Sequence, residues 1–133
     1  MKKILAAILV TVAMTGTAIA EEKKYTVDVS AASAKVSTKS VAKVHVSPAK
    51  GYKMNLEYPT KVKLNAADGV TLEKTTLAKG DGKIDTKGVD FEIAYTPDRA
   101  GKTTITGEIK FAVCTENDCI PQTEKISINV DAK

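Results

Sequence analysis

The sequence predicts an all-β chain arranged as an antiparallel β-sandwich. Three observations point there. Apolar residues recur with period two rather than 3.6, the segments that carry them are short, and Gly, Pro, Asp and Asn separate them at intervals of about 8 to 12 residues. Beyond residue 20 no stretch carries a helical period, and the chain has no internal repeat.

The first twenty of the 133 residues stand apart. Lys2 and Lys3 precede an apolar run over 4–12, and Ala18, Ile19 and Ala20 form a small-x-small site before Glu21 and Glu22. The run is far shorter than the roughly 20 residues a bilayer span needs. Residues 1–20 are therefore expected to be a cleaved secretory signal peptide and 21–133 a single mature domain. That domain carries 18 basic and 16 acidic side chains, a net charge of +2. Charges so balanced and scattered give no electrostatic case for nucleic acid, and no later segment is long and apolar enough to cross a bilayer. Export would place both cysteines in an oxidising compartment, where a disulfide is the default.

Each strand has its own warrant. Over 25–30, Tyr25, Val27 and Val29 share a face. Residues 31–40 are small and polar and read as a crossing loop. Over 41–47, Val44 and Val46 point one way while Lys43 and His45 point the other, and Pro48 with Gly51 ends the strand. Residues 51–59 hold Tyr52 and Tyr58 but are too irregular for a clean strand, so they read as a surface loop with exposed rings. Short strands follow at 61–65 and 70–72, around a turn at Ala67, Asp68 and Gly69. The stretch 79–88 reads as a solvated turn, because Asp81 and Asp85 lack the carboxylate series and distal Glu of a calcium loop. Phe91, Ile93 and Tyr95 define a strand over 91–96, and Pro97 to Gly101 turns the chain into its last hairpin. Seven or eight such strands in about 110 residues suit an immunoglobulin-like sandwich, and without tryptophan or an upstream cysteine it is not of the antibody type.

The last hairpin carries the only cysteines, Cys114 and Cys119. Ile105, Ile109, Phe111 and Val113 share the apolar face of its first strand, and Cys114 falls on the polar face with Glu108 and Lys110. On the return strand Ile120, Ile126, Ile128 and Val130 are apolar, Gln122 and Glu124 interrupt them, and Cys119 again sits with the polar set. Placing Cys114 opposite Cys119 fixes the register. Val113 then meets Ile120, Ile105 meets Ile128, and Glu108 meets Lys125, so both faces match at once. The cysteines are thus expected to be cross-strand neighbours within bridging distance, on the wetter face, beside a loop of Thr115, Glu116, Asn117 and Asp118. Pro121 fits an edge strand.

Residue types leave three uses open for the pair. As a staple, a ring of about six residues contributes roughly 2 kcal/mol on the chain-entropy model, against over 4 kcal/mol for a loop near sixty. As a redox pair at a hairpin tip, the thiols would be available to an incoming thiolate. As soft copper ligands they would need His45 and Met54 to converge on them. His45 alone reads as a solvated residue on a strand's polar side, and no strained nucleophile motif supports hydrolase chemistry.

The order Gly51-Tyr52-Lys53-Met54-Asn55, then Tyr58-Pro59-Thr60, then Phe111-Ala112-Val113-Cys114 and Cys119-Ile120-Pro121-Gln122 resembles the N-terminal periplasmic domain of DsbD-type thiol:disulfide interchange proteins. The resemblance implies an immunoglobulin-like domain in the periplasm, without cofactor or metal, that passes reducing equivalents through Cys114 and Cys119. It implies two partners: a thioredoxin-fold or disulfide-isomerase-like protein, and a separate membrane electron carrier. It further implies Cys119 as the cysteine that forms mixed disulfides, and an aromatic cap loop for which Tyr52 and Tyr58 are the candidates. The chain departs from the family in a shorter spacer and in having Ala112 and Val113 where an aromatic residue commonly precedes the first cysteine. The alternative is a binding or assembly module that keeps the disulfide as a clip.

Overall fold

The computed structural model describes residues 24–31 and 33–133. The expected signal peptide at 1–20 lies outside them. Ten strands follow in chain order. β1 (Tyr25–Ala31), β2 (Ser40–Pro48), β3 (Lys53–Met54), β4 (Lys61–Leu64) and β5 (Val70–Leu72) form the first half. β6 (Thr76–Leu77), β7 (Gly82–Asp85), β8 (Gly88–Pro97), β9 (Gly101–Cys114) and β10 (Cys119–Ala132) form the second, with a single 3₁₀ turn at Lys79–Asp81. No helix among the described residues is long and apolar enough to cross a membrane.

Two antiparallel five-stranded sheets result. The first runs β1-β2-β8-β5, with β7 sharing the β5 side of β8; the second runs β10-β9-β4-β6, with β3 sharing the β4 side of β9. Reading β1, β2, β8 and β5 as A, B, E and D, and β10, β9 and β4 as G, F and C, gives the strand order of an immunoglobulin-like sandwich. After β1 the chain changes sheets: Ala34 bridges Ala132 in parallel, its N–H donating to Asp131 O at 3.0 Å, while Lys133 N–H donates to Ala34 O at 2.9 Å.

Period-two alternation places the core. Val44 and Val46 of β2, Phe91, Ile93 and Tyr95 of β8, and Ile105, Ile109, Phe111 and Val113 of β9 all point between the sheets and are buried. Ile126, Ile128 and Val130 of β10 meet them. A buried Leu, Ile or Phe side chain contributes roughly 1.5–3 kcal/mol, so this single interior dominates the fold's stability.

Two stretches differ from expectation. Residues 79–88 are not simply a solvated turn: Gly82–Asp85 forms β7, paired with Gly88–Phe91. A Cβ on Gly82 would lie 2.7 Å from Asp90 O and 2.8 Å from the Phe91 ring. The glycine that reads as a turn signal is there because the next strand passes close. Likewise the irregular stretch after Gly51 contributes two residues to the second sheet, with Lys53 opposite Cys114 and Met54 opposite Val113.

Candidate functional site at the β9–β10 tip

β9 and β10 pair over fourteen residues each, and every partnership expected from the sequence is present: Cys119 with Cys114, Ile120 with Val113, Lys125 with Glu108, and Ile128 with Ile105. The outermost bond runs from Thr115 N–H to Asp118 O at 2.7 Å. Ladder bonds alternate, so the next pair in, Cys114 and Cys119, falls on a non-hydrogen-bonded position, where opposing side chains stand closest. Their Cα atoms are 4.0 Å apart and their sulfurs are bonded. The Thr115 hydroxyl accepts the N–H groups of Asp118 at 3.1 Å and Asn117 at 3.4 Å, which organises the loop without any positive φ there.

The two cysteines are not equally wet. Cys119 is exposed, as the parity argument requires, whereas Cys114, on the same outer face, is only 7 % exposed. Strand position explains the difference. At Cys114, β9 is covered on both edges, by β10 on one side and by Lys53 of β3 on the other. Cys119 lies on β10, which pairs with β9 alone at this end, so its far edge is open. Pro121 stands two residues along that edge, where its missing N–H costs the ladder nothing.

Directly opposed residues share a face, so the exposed Lys53 side chain stands beside Cys114, on the flank away from Cys119. Sequence reasoning missed this lysine. Its relation to Cys114 spans 61 residues of chain and arises only when β3 docks on β9, leaving no local pattern to read.

The Glu124 interruption on the apolar face of β10 also has a reason. Glu124 accepts a hydrogen bond from the Tyr25 hydroxyl at 2.6 Å, joining β10 of one sheet to β1 of the other. The Tyr25 ring meets Phe111 edge-on, with centroids 4.8 Å apart. Burial, reinforced by the Glu124 carboxylate that accepts its proton, pushes the Tyr25 hydroxyl up to about 12.

Tyr52 and Tyr58, the cap candidates, are both half-buried. Tyr52 packs against the interior, and Tyr58 lies in the excursion that separates β3 from β4 along the edge of β9. The copper set does not assemble. His45 lies on the outer face of the first sheet, with Nδ1 donating to Asp90 Oδ1 at 2.5 Å and Nε2 2.7 Å from Ser47 Oγ. Met54 is 2 % exposed and points into the core. Neither meets the sulfurs, which occupy the opposite face of the sandwich. Asp81 and Asp85 are also apart in role: Asp81 accepts Lys74 Nζ and the Ala78 N–H, while Asp85 accepts the Lys87 N–H.

No protein-family model matches this chain. No curated protein matches it either. Among solved structures it is similar to AggA, the major subunit of aggregative adherence fimbriae type I from Escherichia coli. The two share 11 % identity over 84 % of this chain and 97 % of that one, with a TM-score of 0.42. It is also similar to the N-terminal domain of DsbD from Neisseria meningitidis in the reduced form, at 16 % identity over 86 % of this chain and 91 % of that one, with a TM-score of 0.43.

Proposed function

We propose that this chain is an exported, periplasmic thiol:disulfide exchange domain whose Cys114–Cys119 pair passes reducing equivalents to or from a thioredoxin-fold partner. The observation that carries this reading is the unequal exposure of one bonded pair: Cys119 open on an edge strand, Cys114 enclosed on a central one. Exchange needs one sulfur that a partner's thiolate can reach and a second that resolves the intermediate. A staple needs neither, and here it would join strands already paired over fourteen residues.

The steps follow from that asymmetry. In the reduced domain the Cys119 thiolate attacks a partner disulfide, forming a mixed disulfide and expelling one partner thiolate. The Cys114 thiolate then attacks Cys119 Sγ, closing the intramolecular bond and releasing the second partner thiolate, so two electrons leave the domain. Running in reverse, a reducing partner attacks Cys119 and Cys114 departs as a thiolate. Lys53 beside it favours the charged form of that leaving group. Of the two tyrosines, Tyr58 takes the role of a cap over the pair in this reading, since Tyr52 packs against the interior, and a separate membrane carrier supplies the electrons.

A redox titration of the purified domain against a thioredoxin-fold protein, followed by thiol alkylation, tests the reading. The expected result is equilibration at a potential above about −300 mV. A lower potential with no exchange would make the bond a structural clip. The Cys114→Ser variant should trap partners as mixed disulfides through Cys119, while Cys119→Ser should not.

A further inference from the structure

The outer face of the second sheet carries more than the disulfide. Cross-strand register sorts it into rows. Lys53, Cys114 and Cys119 form the first, and Asn55, Ala112 and Pro121 the second. Lys61, Lys110 and Thr123 form the third, and Lys63, Glu108 and Lys125 the fourth. Glu108 is the only acid in these rows, and the one ion pair it forms, with Lys110, is long at 3.9 Å. Lys61 stands directly opposite Lys110, an arrangement that opposes folding because like charges there repel. Between the fourth row and the next, the surface dips into an open depression lined in part by Lys63, Thr106, Glu108 and Lys125.

The outer face of the first sheet is built the other way. Lys43 stands opposite Glu92, Lys83 opposite Asp90, and His45 between Asp28 and Asp90. Solubility alone would be served by that pattern on both faces. The second face follows it at Glu108, between Lys63 and Lys125, and breaks it at Lys61 opposite Lys110. That one unfavourable pair and the surplus of lysines lie on the face that bears the reactive bond, which points to a use for the charge.

We propose that the lysine belt of Lys61, Lys63, Lys110 and Lys125 is the docking surface for the exchange partner and fits an acidic protein surface set to one side of the partner's reactive cysteine. The proposal rests on the exchange reading above. Strand rise fixes the offset: the third row lies about 13 Å and the fourth about 20 Å from the disulfide. The tip loop beyond the cysteines carries Glu116 and Asp118, so the charge runs from acidic at the tip to basic behind it. A partner matching that gradient docks in one orientation, with its thiol over the exposed Cys119. Nucleic acid or anionic lipid would engage the lysines but has no use for the adjoining disulfide.

The test measures exchange between the reduced domain and two disulfide-linked peptide dimers, each arm reading Cys-Gly-Ser-Gly-Ser followed by four Glu or four Lys. The linker spans the roughly 13–20 Å offset when extended. Bis(2-hydroxyethyl) disulfide serves as the uncharged reference. At low ionic strength the Glu dimer should react on the order of tenfold faster than the Lys dimer, with the preference vanishing near 1 M salt. The preference should collapse in K61Q/K63Q/K110Q/K125Q and persist in K43Q/K83Q, which removes charge from the opposite face. All these lysines reach solvent, and the salt series on the native chain is independent of any variant. Equal rates for the two dimers, with ordinary reaction of the neutral disulfide, would overturn the docking proposal and leave the exchange reading standing. So would belt-dependent binding to phosphatidylglycerol vesicles in place of any peptide preference. No reaction with any of the three disulfides would overturn both.

Discussion

The two outer faces of this sandwich come from the same kind of strands, yet they differ in charge: one keeps opposite charges together throughout, the other carries a surplus of lysine and one like-charge pair. On the first sheet each cation stands beside an anion, and the His45–Asp90 contact joins neighbouring strands directly. On the second, Lys63 and Lys125 flank Glu108 in one row, but in the next Lys61 stands directly opposite Lys110. The interior does not distinguish the sheets, since both contribute β-branched and aromatic residues to one core. What differs is therefore not what the fold requires. The Lys61–Lys110 pair is the unfavourable neighbour that the docking surface proposed above would account for.

Several substitutions separate the two faces experimentally. The largest effect is expected at Gly107, where a Cβ would lie 2.3 Å from Lys63 O. Gly107→Ala must push β4 away from β9, costing about 3 kcal/mol in denaturant unfolding and dispersing the lysine rows while leaving the first sheet paired. Tyr25→Phe severs the hydrogen bond between the sheets and should cost about 1.5 kcal/mol at neutral pH. Because the Tyr25 pKa is raised in the folded state, its stabilisation is complete below pH 10 and fades as the pH rises from 10 toward about 12. The gap between wild type and Tyr25→Phe should close over that interval, which unfolding curves at pH 9 and pH 12 would reveal. Tyr95→Phe works in the other direction. Its hydroxyl is buried without a partner among the described residues, so removing it should stabilise the first sheet by about 1 kcal/mol. The smallest pair bears most directly on the comparison. Lys61→Glu places an anion opposite Lys110 and should stabilise by about 0.5 kcal/mol, whereas Lys43→Glu sets an anion against Glu92 and should destabilise by a similar amount. If both destabilise, the two faces do not differ in the way their registers indicate.

The β9–β10 hairpin was legible because two independent patterns, apolar matching inside and charge matching outside, agreed on one register. Wherever a single pattern had to suffice, less could be read. Gly82 resembles a turn residue in sequence and is a strand residue in space, since the ring of Phe91 that requires it lies on a different strand. Thr76 and Leu77 are too few to show a period, though Leu77 is buried opposite Val62. The same limit applies at the candidate site. Cys114 and Cys119 announce themselves by type and spacing, and their side of the strand follows from parity. That Cys114 is nonetheless enclosed depends on β3 docking along its far edge, a relation no neighbouring residue encodes. Glu124 breaks the apolar pattern of β10 because its partner, Tyr25, stands on β1, 99 residues away in the chain.

The disulfide closes a ring of only six residues across a ladder that is complete without it. Breaking the bond therefore releases little chain entropy, and no strand depends on it for its place. If the pair exchanges as proposed, oxidised and reduced molecules would share one scaffold, and the free-energy difference between them would be set locally by two sulfurs, a loop and a lysine. Such a domain can turn over repeatedly without any refolding step. Under the exchange reading, the fold would suit a carrier of electrons, whose shape is the same in either redox state, rather than a sensor.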